Sequence, residues 1–206
     1  KGGTTLTIEN RLRPPSGRPA GPMLAAAFSC SGDQLVTLDS HGQLVALKLD
    51  QNRYVAVRRF GARAVALAFS PLRRTELYVA LASGVIECVD TATKATVGTL
   101  RGHGRAVHTL ACHPHKPLLL SCAPAAANLW HTSGEQLAFS RASTLVSGPS
   151  NTVRHGVFLP SGEGVLTCAE RSLALWRLGT RGSRDSREPH EKLATLRLPA
   201  SELSPL

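Results

Sequence analysis

Short runs of apolar residues alternate with turn residues along this chain, and the same order of runs occurs four times. In each copy an apolar run leads to a turn, a second apolar run follows, and a third run alternates between apolar and polar positions. The opening runs lie at 27–29, 68–70, 111–113 and 157–159. Runs of this length between Gly, Pro, Ser and Asp turns are typical of β-strands, and no segment has the period of an amphipathic helix. The pattern therefore predicts an all-β fold.

Two markers set the length of the repeat. The first marker, near the end of the opening run, recurs at intervals of 41, 43 and 46 residues: Phe28, Phe69, Cys112 and Phe158. The second, in the third run, recurs at intervals of 42, 41 and 46 residues: Leu47, Val89, Trp130 and Trp176. A period of about 40–45 residues with four strands is that of a WD40 propeller blade. Because positions in a shared register face the same way, we expect these aromatic side chains to be largely buried: Phe28, Phe69, Phe158, Trp130 and Trp176.

The third repeat has the most complete blade motif. A Gly-His pair ends at His103, and Trp130 follows 27 residues later, with Ser121 between them. In the full motif the His, a Ser or Thr, a turn Asp and the Trp form a hydrogen-bonded chain between strands, but here Ala125 occupies the turn position. The sequence predicts a WD40-type β-propeller with about four readable blades, as part of an incomplete or longer propeller.

The repeats divide the chain into segments. Residues 1–22 are rich in Pro and Gly and are interpreted as a leader or linker with a short strand at Leu6 and Ile8. Residues 23–178 contain the four repeats, at about 23–60, 61–100, 101–145 and 146–178. Residues 179–192 are interpreted as a basic flexible loop, and 193–206 as the start of a further strand or repeat.

The chain starts with Lys1 rather than Met, and we expect it to be part of a longer protein. Four blades seldom close alone, because an open sheet edge leaves backbone groups without partners. We therefore expect further blades of the same chain, or a neighbouring subunit, to cover the edges near residues 4–8 and 193–198.

The formal net charge of +10 favours acidic partners of some kind. Most of the cations lie in predicted loops without interleaved aromatic residues, so a solvated loop face is favoured over a nucleic-acid platform. Four late arginines are the candidates for partner binding: Arg177, Arg181, Arg184 and Arg187.

Candidate chemistry is sparse. The five cysteines are an odd number embedded in apolar sequence, which favours buried free thiols in a reducing compartment. One cluster with Cys112 has metal-ligating residue types, but its spacing does not complete a tetrahedral set: His103, His108, His113 and His115. Nucleophile turns and phosphate loops are lacking, and no apolar run approaches the about 18 residues of a membrane span. The prediction is no enzyme activity, no cofactor, no metal and no membrane span.

Several blocks resemble the WD-repeat proteins of the TBC domain family. In chain order they are Ala66–Phe69, Leu72–Arg74, Val79–Ala82, Asp90–Lys94, Arg101–His103, Leu129–Trp130 and Phe158–Pro160. The resemblance implies the N-terminal WD40 repeats of a large scaffold associated with centrosomes, centriolar satellites and cilia. It also implies a TBC domain elsewhere, which stimulates GTP hydrolysis by Rab GTPases through an Arg and a Gln that are absent here. Ala125 and the segment 179–192 depart from the family pattern.

Three functions are therefore open. The first is a non-catalytic protein-interaction scaffold of the cytoplasm, at the centrosome, centriolar satellite or cilium, with cytoskeletal or ciliary protein partners. The second is a regulatory WD40 region of a Rab GTPase-activating protein. The third is a basic module that binds tubulin or nucleic acid, of which nucleic acid is the less favoured.

Overall fold

The computed structural model describes residues 21–132, 140–145, 152–179 and 190–197, which form four antiparallel sheets of four strands each. Within every sheet the strands follow the order of the chain, so each sheet is one meander. The first sheet contains β1 (Met23–Phe28), β2 (Gln34–Asp39), β3 (Gln43–Lys48) and β4 (Arg53–Arg59). The second contains β5 (Ala64–Phe69), β6 (Glu76–Leu81), β7 (Ile86–Asp90) and β8 (Thr96–Leu100). The third contains β9 (Thr109–Cys112), β10 (Leu118–Ala123), β11 (Ala126–His131) and β12 (Ser140–Leu145). The fourth contains β13 (Val153–Phe158), β14 (Gly164–Ala169), β15 (Ser172–Leu178) and β16 (His190–Arg197).

The four sheets pair their strands in the same register. The second marker position lies opposite the second residue of the preceding strand in every sheet: Leu35 and Leu47, Leu77 and Val89, Leu119 and Trp130, Val165 and Trp176. The repeats inferred from sequence spacing are therefore structurally equivalent. Because strand side chains alternate between faces, this common register places equivalent side chains on the same face of each blade.

The core formed by the described residues consists of three apolar clusters, each between two successive blades. Val36 and Leu38 of the first blade pack with Val79 of the second. The next cluster joins the second and third blades, and the last joins the third and fourth through Leu129 and Phe158. Each fully buried aliphatic or aromatic side chain contributes about 1.5–3 kcal/mol. The blades are thus held face to face by burial rather than by shared strands.

Trp130 is 2% exposed, Phe69 and Phe158 are each 8% exposed, and Trp176 is half-buried. The prediction of burial is wrong for Phe28, which is 61% exposed. The reason is positional, since Phe69 packs in the cluster between the first and second blades and Phe158 in that between the third and fourth. Each marker thus contacts the preceding blade. The first blade has no preceding blade among the described residues.

The five cysteines are all unpaired thiols. Cys88 and Cys122 are buried, and Cys112 and Cys168 are half-buried. Burial raises the pKa of the Cys112 and Cys122 thiols to about 12. The expectation of burial is wrong for Cys30, which is exposed because it lies in the turn beyond the end of β1.

The late strand of the chain belongs to the fourth blade. β16 begins at His190 and pairs with β15 along its length, so it is the fourth strand of that sheet. Residues 180–189, from the predicted basic loop, and the predicted strand at 4–8 lie outside the described residues. None of the described residues forms a helix long and apolar enough to cross a membrane.

Candidate interaction surface

A buried hydrogen-bond network ties the strands of the third blade together. The Trp130 Nε1–H donates to Ser121 Oγ at 2.7 Å, and Ser121 Oγ lies 2.6 Å from His103 Nε2. Since the Ser121 hydroxyl accepts from the indole, its own hydrogen is available to the His103 ring. The network links the segment before β9 to β10 and β11. Ser121 is fully buried, so this His–Ser pair holds strands and does not face a substrate.

Asn128 extends this network where the turn Asp of the full motif is replaced by Ala125. Its Nδ2 lies 3.2 Å from His103 Nε2, and its Oδ1 accepts a hydrogen bond from Thr144 Oγ1 at 2.9 Å. The amide therefore joins β11 to β12, a link that the sequence analysis missed. The available signal was a polar residue between apolar neighbours in the run that ends at Trp130. The structure shows that this residue is buried.

Of the contacts in this network, the fourth blade repeats only the hydrogen bond of the indole. Trp176 Nε1–H donates to Thr167 Oγ1 at 2.9 Å, and Thr167 occupies the position of Ser121 in its strand. In the second blade the corresponding residues are Val79 and Val89, both fully buried. The indole hydrogen bond is therefore a feature of the third and fourth blades, and in the second blade the equivalent two positions are packed apolar side chains.

The histidines and Cys112 do not gather into a metal site. His108 and His115 are exposed, and the described residues contain no group of three metal-ligating side chains. Buried His113 instead joins two blades: its Nε2–H donates to the Gly162 carbonyl at 2.8 Å. Its Nδ1 accepts the backbone N–H groups of residues 115 and 116, each at 2.9 Å. Burial lowers the pKa of His113.

The loops fall at two ends of the blades, because successive strands run in opposite directions. One end carries the turns between second and third strands together with the connections from each blade to the next. We call this end the basic face, after the exposed arginines in its loops and strand ends, which include Arg59, Arg63, Arg101, Arg105, Arg154 and Arg171. Arg154 is paired with the exposed carboxylate of Glu170 at 2.8 Å. The other five form no ion pair with a described carboxylate.

Two further observations define the charge of the basic face. Asp39 lies at this end but is buried, and its oxygens accept the backbone N–H groups of Gly21, His41 and Gln43. Glu170 is the exposed acidic side chain of the described loops at this end, and Arg154 pairs with it. The exposed charge of the described loops at this end is therefore almost entirely positive.

The opposite end, which we call the mixed face, has both signs of charge. Its turns and strand ends contain both acidic and basic side chains: Asp33, Asp50, Arg73, Arg74, Asp90, Lys94, Lys116 and Glu163. Several bond one another or nearby groups, as in the Arg74–Asp33 ion pair of 2.9 Å between the first two blades. The hydrogen bonds of Ser31 and Ser29 hold the pKa of the Asp33 carboxyl well below its usual range. The excess positive charge of the described loops thus lies on one end of the molecule.

The arginines predicted to bind partners are elsewhere. Arg177 is exposed on β15 and pairs with Glu191 of β16 at 3.1 Å. Arg181, Arg184 and Arg187 lie outside the described residues. The basic face was missed because its arginines occur singly or in pairs about one blade apart. Their recurrence in successive blade connections was the available signal.

Both ends of the row of blades present apolar side chains. Leu24 and Phe28 are exposed on the first blade, on the face away from the second. On the fourth blade Val157, Leu193 and Leu196 are exposed. Val157 points away from its neighbour Phe158, which packs against the third blade. These surfaces, which we call the open faces, expose apolar side chains of the kind that contact sites bury.

Four meanders of four strands, stacked in repeat register, form the blades of a WD40-type β-propeller. The chain is similar to TBC1 domain family member 31 of Bos taurus, with 33% identity over 158 residues, and to the Homo sapiens protein of that name, with 32%. The protein of that name from Xenopus tropicalis is 31% identical. Each alignment covers 76% of this chain and 14% of the relative, so the chain spans about a seventh of the relatives' length. No family model matches the chain.

Proposed function

We propose that this chain is a non-catalytic protein-interaction scaffold of the centrosome, centriolar satellite or cilium. The observation that supports a scaffold is the frame itself. Three apolar clusters lock four blades face to face, and this frame holds the loops of the basic and mixed faces in fixed relative positions. Loops on a rigid scaffold are the usual place of binding residues. The location is proposed from the resemblance to the WD-repeat proteins of the TBC domain family.

Localisation tests the cellular part of the proposal. A fluorescent fusion of the 206-residue chain in ciliated cells is expected to concentrate around centrioles or at the ciliary base. The matched control is the Trp130→Ala fusion, which loses the indole bond to Ser121 and should lose the concentrated signal. A uniform cytoplasmic signal from the unaltered fusion would contradict the proposed location.

The alternative, a regulatory region of a Rab GTPase-activating protein, rests on the same similarity. GTP hydrolysis by purified Rab GTPases is measured with the human relative alone and with this chain added. A scaffold leaves the rate unchanged. A reproducible rise or fall in the rate would favour the regulatory function instead.

The further alternative, binding of tubulin or nucleic acid, draws support from the exposed arginines of the basic face. Binding to microtubules and to an oligonucleotide is measured across a salt series. Affinity that falls steeply with salt would favour this function, since phosphate contacts release counterions.

A further inference from the structure

We propose that the basic face binds an extended, Glu- and Asp-rich protein segment across the connections that join the first three blades. This proposal rests on the proposed scaffold function and names the chemistry of its partner. The residues that carry it are Arg63, in the connection from the first blade to the second, and Arg101 and Arg105, in the connection from the second to the third. All three are exposed and have no ion pair with a described carboxylate.

The backbone that presents these arginines is fixed by the blade turns beneath it. The Ala82 N–H donates to the Arg63 carbonyl at 2.7 Å. Gly84 has a φ of +86°, and a Cβ there would lie 2.5 Å from the His103 carbonyl oxygen and 2.7 Å from that of Arg105. The turn and the blade connection are therefore in close contact.

A similar contact between a glycine turn and a blade connection occurs one blade earlier. There the Phe60 N–H donates to the Gly42 carbonyl at 2.9 Å, and Gly42 has a φ of +74°. In the third blade, His103 is additionally held through Ser121. Binding to a backbone already in place loses less conformational entropy than binding that must order a loop.

The side-chain chemistry favours carboxylates over nucleic-acid bases. A guanidinium group presents a planar fork that matches a carboxylate, and its charge does not titrate. A single-strand platform stacks bases on aromatic rings. Phe60, at the start of a connection on this face, is buried, and no Phe, Tyr or Trp is exposed in the described loops of the face. Guanidinium groups also form matched hydrogen bonds with phosphates, so the lack of exposed aromatic rings for base stacking is the observation that favours an acidic peptide over a single-stranded nucleic acid.

The test compares two triple variants that have the same net charge but differ in which face carries the altered residues. The probes are a labelled glutamate homopolymer and a thymidine oligonucleotide of equal charge, and binding to the 206-residue chain is followed by fluorescence anisotropy. One variant carries Arg63→Glu, Arg101→Glu and Arg105→Glu. The control carries Arg53→Glu, Lys94→Glu and Lys116→Glu, three exposed cations of the mixed-face end. Both variants change the net charge equally, and matching circular dichroism melts show that both fold.

The basic-face variant is expected to bind the glutamate polymer about tenfold more weakly or worse, since it loses three charge-assisted contacts, while the control changes less than about threefold. An equal loss in both variants would overturn the site and show attraction by net charge. Tighter binding of the oligonucleotide, lost in the basic-face variant, would overturn the acidic-protein partner in favour of nucleic acid. Failure of the unaltered chain to bind the glutamate polymer would overturn the proposal. The localisation and GTP assays judge the scaffold function independently of these results.

Discussion

Single side chains decide how each blade is held, and equivalent positions do so by different chemistry. In the third blade the Ser121 hydroxyl accepts from an indole, whereas in the second blade the same position is Val79. The polar contact of the second blade is made by the residue that precedes Val79. Buried Tyr78 bonds the Glu76 carboxylate and the Thr132 side chain of the next blade. Burial raises the pKa of Tyr78 above its usual value.

Trp130 is the residue whose loss should cost most. Trp130→Ala is expected to lower the free energy of unfolding by about 3–5 kcal/mol, because it removes a buried aromatic and leaves a cavity. Trp130→Phe keeps most of the packing and removes the donor to Ser121, so about 1 kcal/mol is expected. Denaturant unfolding measures both. A loss below about 1 kcal/mol for the alanine variant would contradict the packing described here.

His113 should make stability depend on pH. Its Nδ1 accepts two backbone N–H groups, so protonation would remove that acceptor, and its folded pKa lies below the unfolded value of 6.5. The contribution is fully present above 6.5 and is lost as pH falls from 6.5 through the folded pKa, where the unfolded state binds more protons. The melting temperature should therefore decrease as the pH is lowered from about 7.5 to 5, and His113→Gln should make this decrease smaller. His115→Gln, at an exposed neighbour, should not, and an equal effect of the two substitutions would argue against His113.

At the scale of elements, the turns do more than reverse the chain. Glycines with positive φ lie both in open turns and in turns pressed against a blade connection. Gly32 has a φ of +69°, and a Cβ added there would have no other atom within 4 Å, whereas at Gly84 the carbonyls of the next connection are in the way. The two glycines have similar backbone conformations, so they differ mainly in how closely other atoms approach them.

This difference gives a matched pair of substitutions. Gly32→Ala should cost about 1–2 kcal/mol, the strain of an L-residue in the left-handed region. Gly84→Ala should cost clearly more, because the connection that carries Arg101 and Arg105 must also move. Thermal unfolding of both variants checks this. Equal losses would show that the turn and the connection are not in close contact.

At the scale of the molecule, the row of blades has two apolar ends. Phe28 occupies the position at which Phe69 and Phe158 are each buried by a preceding blade. The fourth blade offers apolar side chains on its far side. Each of the three internal interfaces joins the same two kinds of blade face. The open face of the first blade in one copy can therefore pack against the open face of the fourth blade in another copy. We therefore expect the 206-residue chain alone to associate head to tail.

Sedimentation velocity across a concentration series tests this association. Phe28→Asp should weaken it by about 2 kcal/mol or more, as for a central apolar anchor. Leu72→Asp is the control, because Leu72 is an exposed apolar residue in a turn of the mixed face. A monodisperse, cooperatively unfolding monomer of the unaltered chain would contradict the expectation and show that four blades persist without a neighbour.

The sequence by itself determined the first three strands of each repeat, the repeat period and the register, because alternation and turn chemistry are local. The fourth strand of each blade was located only by the structure. The spacing of Phe69, Trp130 and Trp176 needed no long-range information. Only the tertiary structure decided that Phe28 is exposed, since no blade precedes the first one among the described residues. It also decided the basic face, whose arginines lie about one repeat apart along the chain and share one end only once the blades stack.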